Sequence, residues 1–338
     1  MSDVPVTLPV AVMHKLRLRS FIRWEWLLVL VVIADFALNT FASPYFLDPW
    51  TLSDATFNFT EKAVVALPMA FLIIAGEIDI SVAGIMALAS VMMGLAAEAG
   101  APLPVLLAIG LVTGLAAGCI NGALVTTFNV PSIVATIGTM SLFRGSAYAI
   151  LGDRVFKSYP HAFAYFGQGY VAGPVSFELV LFVLLAIVAG AVLHFTAPGR
   201  RVYAIGNNPV AAALSGVRVT NYRFLLFAVT GLAAGLASIL LTSRLGSTRP
   251  SIADGWELDI ITMVVLGGVA VEGGAGSIVG VVLAAVLMGL LTFGMGLLNV
   301  PGIVMKIVTG GLLIVVVAGP ALVRRLRALP HRHRGGLG

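Results

Sequence analysis

No charged residue occurs between Glu98 and Arg144, and further charge-free stretches run from Leu179 to Gly199 and from Gly273 to Met305. A chain in water has no way to cover so much apolar length, because its outer surface must be largely polar or charged. A lipid bilayer accepts such stretches provided that every backbone N–H and C=O is satisfied internally, which a helix does within one segment. Composition agrees: 59% of the 338 residues are hydrophobic and 10% charged, with mean hydropathy +1.04. A soluble domain carries about a quarter charged residues. A soluble enzyme is thereby excluded, and the formal net charge of +5 points to membrane orientation rather than to nucleic acid.

A span needs about 20 apolar residues, fewer where a helix is packed inside a bundle. This rule predicts spans over residues 24–43, 62–75, 82–97, 103–127, 131–151, 176–195, 222–243, 257–272, 276–297 and 302–325. The expected fold is all-α: a polytopic membrane protein of about ten transmembrane helices, with the short second, third and eighth segments as candidate half-helices or re-entrant pieces. Residues 1–23 read as a cytoplasmic N-terminal segment, 24–325 as the transmembrane domain, and 326–338 as a basic cytoplasmic tail near anionic lipid.

Cations tend to stay on the cytoplasmic side. Lys15, Arg17, Arg19, Arg23, Arg200, Arg201, Arg218, Arg223, Arg324, Arg325, Arg327, Arg332 and Arg334 fall on one side of the ten-span arrangement. Only Lys62, Arg154, Lys157, Arg244 and Arg249 fall on the other, while Arg144 and Lys306 lie within spans. Both termini are therefore expected in the cytoplasm. The first apolar run, WEWLLVLVVIADFALNTFA, is too long for a signal-peptide core and ends without a small-residue cleavage pattern, so it reads as a retained span.

Two short patterns recur. Glu77-Ile78-Asp79-Ile80 is echoed by Glu257-Leu258-Asp259-Ile260, and Asn129-Val130-Pro131-x-Ile133-Val134 by Asn299-Val300-Pro301-x-Ile303-Val304. Each first pattern lies between the second and third spans of a five-span half, and each second pattern opens the fifth. Five is odd, so two such halves would run in opposite directions, the inverted repeat of many transporters.

Polar residues in an apolar chain mark candidate sites. Gly76, Glu77, Asp79 and Ser81 interrupt the pattern between the second and third spans, either as the lining of an aqueous pathway or as an ordinary turn between helices. A carboxylate at the bilayer centre costs about 2.5–3.5 kcal/mol, so such a residue needs water, protein partners or a substrate. Asp35 and Arg144 are either interhelical polar partners or pathway residues, and Lys306, near a helix start, can snorkel.

The second candidate is the loop 196–221. Asn208 suits an N-cap, Pro209 the first helical position and Gly216 the C-terminal cap, which predicts a two-turn helix outside the membrane. Its Val210, Ala211, Ala213 and Leu214 present an uncharged apolar surface that requires either the lipid interface or a protein partner.

Other chemistry finds no support. None of Lys15, Lys62, Lys157 and Lys306 sits in a phosphate-loop pattern, no nucleophile elbow occurs, and the histidines His14, His161, His194, His331 and His333 form no metal-binding pair. No metal site is expected. The single cysteine, Cys119, reads as a small packing residue. Gly267, Gly268, Gly273, Gly274 and Gly276 suit close helix approach and a tight turn better than phosphate binding.

Three stretches, GEIDIS with VAGIMALAS, GRRVYAIGNNPVAAALSGV and LDIITMVVLGGVAVEGGAGSIVG, together resemble the membrane permease subunits of ribose-type ABC sugar importers. That family includes ribose, rhamnose and autoinducer-2 importers. The likeness covers about residues 24–325. NFTEKAVVALPMAF, GTMSLFRGSAYAILGD and LTSRLGSTRPSIADGWELDIITMVVLGG most resemble rhamnose permeases.

The resemblance implies a pathway for a monosaccharide such as rhamnose across a bacterial inner membrane, with no covalent chemistry in this chain. It also implies a second permease subunit, identical or paralogous, an extracytoplasmic sugar-binding protein, and a cytoplasmic ATPase that carries the ATP and Mg. The loop residues Gly206, Asn207, Asn208, Pro209, Ala211, Ala212, Leu214, Ser215 and Gly216 would form the ATPase-coupling segment. Family members often carry an acidic residue just after the asparagines; Pro209 and Val210 stand there in this chain. Other readings are a permease for another cargo of the same superfamily (another sugar, autoinducer-2, a nucleoside or a branched-chain amino acid) and an ion-coupled secondary transporter that uses Glu77, Asp79 or Asp35.

Overall fold

In a computed structural model of the chain, residues 10–152 and 154–328 are described. The first residues of the predicted N-terminal segment and most of the basic tail, with Arg332 and Arg334, lie outside them. The helices are α1 (Val10–Ala42), α2 (Pro49–Phe57), α3 (Thr60–Ile74), α4 (Val82–Glu98), α5 (Leu103–Thr126) and α6 (Ser132–Leu151). A small cap follows: a 3-10 turn (His161–Ala164), α7 (Tyr165–Gln168) and a hairpin of β1 (Tyr170–Ala172) with β2 (Val175–Ser176). Then come α8 (Phe177–Phe195), α9 (Ala197–Asn207), α10 (Pro209–Leu214), α11 (Val219–Leu245), α12 (Trp256–Leu266), α13 (Ile278–Leu297) and α14 (Gly302–Ala328).

Every predicted span coincides with a helix. Trp24–Ala42 of α1, together with α5, α6, α8, α11 and α13, is long and apolar enough to cross a membrane, and α2 with α3 forms a further pair bent by 47°. The eighth segment differs from expectation. It was predicted over 257–272, yet α12 stops at Leu266, and a glycine-rich turn occupies the rest. A Cβ on Gly267 would lie 2.6 Å from the Val281 nitrogen, and Gly268 has φ +86°, so the chain leaves the helix where only glycine tolerates the backbone.

The short helices are the inner ones. Residues of α3 from Thr60 to Ile74 and of α4 from Val82 to Met93 are mostly buried, whereas Leu30 and Ile33 of α1, Leu184 and Ile187 of α8, and Ile303 and Ile307 of α14 are exposed. The exposed apolar faces belong to the outer ring that meets lipid. Helices enclosed by protein need not match the bilayer thickness.

The most extensive helix contact joins α5 to α11. Gly110, Gly114 and Gly118 recur every four residues on α5 and face Gly231 and Gly235 on α11. A Cβ on Gly235 would lie 2.5 Å from the Gly110 carbonyl oxygen, and one on Gly231 would lie 2.6 Å from the Gly118 Cα. Backbones touch here with no side chain between them.

Ion pairs fix how α3 runs. At its start, Arg244 near the end of α11 makes two hydrogen bonds of 2.8 Å to the Glu61 carboxylate. Lys62 meets Asp259 of α12 at 2.6 Å. Just past its other end, Glu77 meets Arg223 near the start of α11 at 3.0 Å. Thus α3 runs antiparallel to α11, with its two ends tied to opposite ends of that helix.

Contacts exchange between the halves as an inverted repeat requires. In each half the third helix packs on the fourth and fifth (α4 on α5 and α6, α12 on α13 and α14), and α11 packs on α4 as α3 packs on α12. Asn129 and Asn299 share the left-handed φ, 55° and 56°, just before α6 and α14. The Glu-x-Asp-Ile echo does not share a conformation: residues 77–80 form a turn, whereas 257–260 lie in α12.

The α5–α11 contact carries a prediction. Gly114→Leu or Gly231→Leu places a side chain where backbone already stands, and overpacking of this kind costs about 1–3 kcal/mol or more. Each variant is expected to lower the thermal unfolding midpoint of the detergent-solubilised protein, while Gly138→Leu, where nothing lies within 4 Å of the added Cβ, leaves it unchanged.

A candidate coupling segment and the turn beneath it

The loop 196–221 folds as two helices rather than one. The first, α9, is amphipathic, with Gly199, Val202 and Ile205 buried and Arg200 and Arg201 exposed. The second is the predicted short helix. Asn208 Oδ1 accepts the Ala211 N–H at 3.0 Å, Pro209 opens the helix, and Gly216 closes it at φ +82°. The caps explain why so short a helix forms: they satisfy end groups that two turns cannot satisfy internally.

Exposure sorts the predicted coupling residues. Asn208, Pro209, Val210, Ala211, Ala213, Leu214, Ser215 and Gly216 face outward, with Val210 68% and Leu214 87% exposed. Ala212 is the exception at 4%; it faces the protein and packs there. Two others belong to the support. Gly206 sits so close to α3 that a Cβ would overlap the Ile74 carbonyl oxygen. Asn207 Nδ2 donates to the carbonyls of Tyr203, at 2.7 Å, and Gly274, at 3.2 Å.

The three sequence motifs meet at this support. The Gly274 N–H donates to Ile74 O at 2.8 Å, and the Tyr203 hydroxyl to Gly276 O at 2.7 Å. Burial, with Glu25 adding to it, pushes the Tyr203 phenol up to about 12, which keeps it a donor throughout the physiological range. On the same side Trp24 Nε1 of α1 donates to Leu266 O at 2.9 Å. Hence α9, the end of α3, the glycine-rich turn and the start of α13 form one joint beneath α10.

The turn 75–81 is the other part of that joint. Gly76 takes φ +83°. Asp79 is fully buried, its Oδ1 accepting the Ser81 N–H at 2.8 Å and hydroxyl at 2.7 Å, and its Oδ2 accepting Asn121 Nδ2 at 3.2 Å. Glu77 is held by Arg223. The turn is packed between helices, and both of its carboxylates meet polar partners within the protein. Arg144 is likewise an interhelical partner: it donates to the carbonyls of Pro250 at 2.8 Å, Ile252 at 2.6 Å and Ala83 at 3.1 Å. Asp35 stands apart from these groups on α1, which packs on α13, and its Oδ2 has no hydrogen-bond partner among the described residues.

Several polar partners went unnoticed in the sequence. Asn121 lies inside an apolar run where a lone amide was the available signal. The Glu61–Arg244 pair joins residues far apart in the chain, and Glu178 reaches Thr60 at 2.8 Å. No local pattern announces such pairs.

A bundle of apolar helices around a buried, charge-clamped inner helix, with an exposed capped helix on one face, is a multi-pass membrane protein. Residues 52–317 match the family described as Branched-chain amino acid transport system / permease component, and the chain belongs to that family. It is 36% identical over 311 residues to the Autoinducer 2 import system permease protein LsrD of Escherichia coli (strain K12), covering 88% of this chain and 92% of the relative. A relative of the same description from Yersinia enterocolitica is 34% identical over 306 residues, with the same coverage.

Removing one partner of a buried ion pair strands the other and costs about 3–5 kcal/mol. Arg244→Met is therefore expected to lower the unfolding midpoint well below wild type. Glu61→Gln with Arg244→Met is expected to recover part of the loss, as a double-mutant cycle on the solubilised protein would read out.

Proposed function

We propose that the chain is a permease subunit of an ATP-binding-cassette importer, and that α10 is where its ATPase acts. The observation that carries this reading is an apolar, capped helix exposed on one face yet seated on the joint where α3, α9, α13 and the glycine-rich turn meet. ATP and Mg belong to the partner ATPase in this reading. When the ATPases close on ATP, the helix transmits the displacement through α9 to the spans, and the pathway alternates between outward and inward openings. The face with α10 is then cytoplasmic, in agreement with the Lys and Arg distribution, and both termini lie there.

The cargo in this reading is a small hydroxylated molecule of the monosaccharide class, delivered by an extracytoplasmic binding protein to a pathway formed with a second permease subunit. Rhamnose is favoured by the motif resemblance. Autoinducer 2, taken from the names of the relatives, is the second candidate, supported by 36% identity over most of both chains. Such a pathway needs only weak contacts, because a tight site would hinder release.

Two outcomes test this. Leu214→Asp with Val210→Asp is expected to abolish cargo-stimulated ATP hydrolysis in the reconstituted importer while membrane insertion is unchanged; normal stimulation would show that α10 is not the contact. Uptake of labelled rhamnose and of autoinducer 2 by cells expressing the system decides the cargo, and is expected to persist when the proton gradient is collapsed. Loss of uptake under that treatment would favour ion coupling instead.

A further inference from the structure

Beside α10 lies a cavity of about 340 Å³ lined by Arg201, Gly216, Val217, Arg218, Asn221 and Tyr222. Arg201 Nη1 donates to the Tyr222 hydroxyl oxygen at 2.8 Å, with the guanidinium carbon 5.8 Å from the ring centroid. That bond uses the phenol as acceptor and leaves its own O–H free to donate. The cavity thus offers two guanidinium groups, a hydroxyl and an amide, while neither Arg201 nor Arg218 has a carboxylate within ion-pair distance among the described residues. Such a donor set suits a phosphate oxygen.

Position identifies which phosphate. With 27 residues, α11 is about 40 Å long, against a hydrocarbon core of about 30 Å, so its first turns stand in the headgroup layer. Arg218, Asn221, Tyr222, Leu225 and Val229 follow one another at spacings that keep them on one face of the helix. Leu225 is 57% and Val229 41% exposed, and both are apolar, so the polar cavity continues directly into a lipid-facing stripe. A soluble anion would use the cavity alone; a phospholipid uses both parts.

We infer that this cavity binds the phosphodiester headgroup of an anionic phospholipid from the leaflet on the α10 side, with an acyl chain lying along Leu225 and Val229. The lipid adds a negative charge to a cavity lined by two arginines that have no carboxylate partner among the described residues, and it joins α9 to the start of α11. The inference depends only on the chain being membrane-embedded and not on its cargo or its ATPase.

The test uses the full-length protein, purified from membranes in a neutral detergent and examined by native mass spectrometry with added phosphatidylglycerol or phosphatidylcholine. Wild type is expected to retain phosphatidylglycerol preferentially, and Arg201→Gln with Arg218→Gln to lower that retention on the order of tenfold. Millimolar inorganic phosphate should leave the lipid in place. Equal retention of the two lipids by wild type would overturn the inference without reference to any variant, so misfolding of the double variant cannot shelter it. Displacement by inorganic phosphate would overturn it in favour of a free anion. Undiminished lipid in a double variant that has lost its partner ATPase would also overturn it, and assign the cavity to a protein contact.

Discussion

The backbone contact between α5 and α11 sets the geometry on which the rest depends. Inside a bilayer an apolar side chain gains little by leaving lipid for protein, so helices associate through close packing and polar contacts. The glycines of α5 and α11 let carbonyl oxygens and Cα atoms meet directly. With that contact made, α11 becomes the axis of the bundle: α3 and α4 lie against it as well, and its two ends carry Arg223 and Arg244. A larger residue at the contact would disturb the packing of four helices rather than two.

Polar groups then fix register along that axis. Glu61 and Glu77 stand at opposite ends of α3 and each meets an arginine of α11, so sliding α3 by one turn would strand both pairs. A buried ion pair is a weak source of net stability, because desolvation offsets most of the attraction. It penalises wrong arrangements strongly, since a lone charge in an apolar interior is costly. Asp79 follows the same rule with neutral partners, Ser81 and Asn121, which donate hydrogen bonds to its carboxylate inside the turn.

Apolar length was enough to locate the ten predicted spans, but not α2 or α9, since charge-free length is a property of contiguous residues. The caps at Asn208, Pro209 and Gly216 were equally legible, because capping depends on a few adjacent side chains. Pairings across the bundle were not. Nothing near Glu61 announces Arg244, and the apolar run around Asn121 does not show that the amide closes a turn forty residues earlier. The glycines at 110, 114 and 118, and at 231 and 235, recur at intervals of four in the sequence, but only the structure shows that the two series face each other. Ala212 illustrates the same limit at close range: on so short a helix, composition could not distinguish the face turned to solvent from the one turned to the protein.

The departure at Pro209 and Val210 bears on how a push on α10 would be received. Where the family resemblance leads to the expectation of an acidic residue, this chain offers a rigid helix start and an exposed valine, with Leu214 one turn further on. In the proposed coupling role, recognition at α10 would rest on shape and apolar area. The support behind it is stiff. Gly206 lies against the backbone of Ile74, Gly274 donates to that same carbonyl oxygen, and Asn207 and Tyr203 tie α9 to the glycine-rich turn. Flexible side chains would absorb a displacement of an ångström or two by changing rotamer; backbone packed on backbone has no such freedom. In that proposed role, a displacement of α10 would pass through α9 to the end of α3 and to the glycine-rich turn that leads into α13.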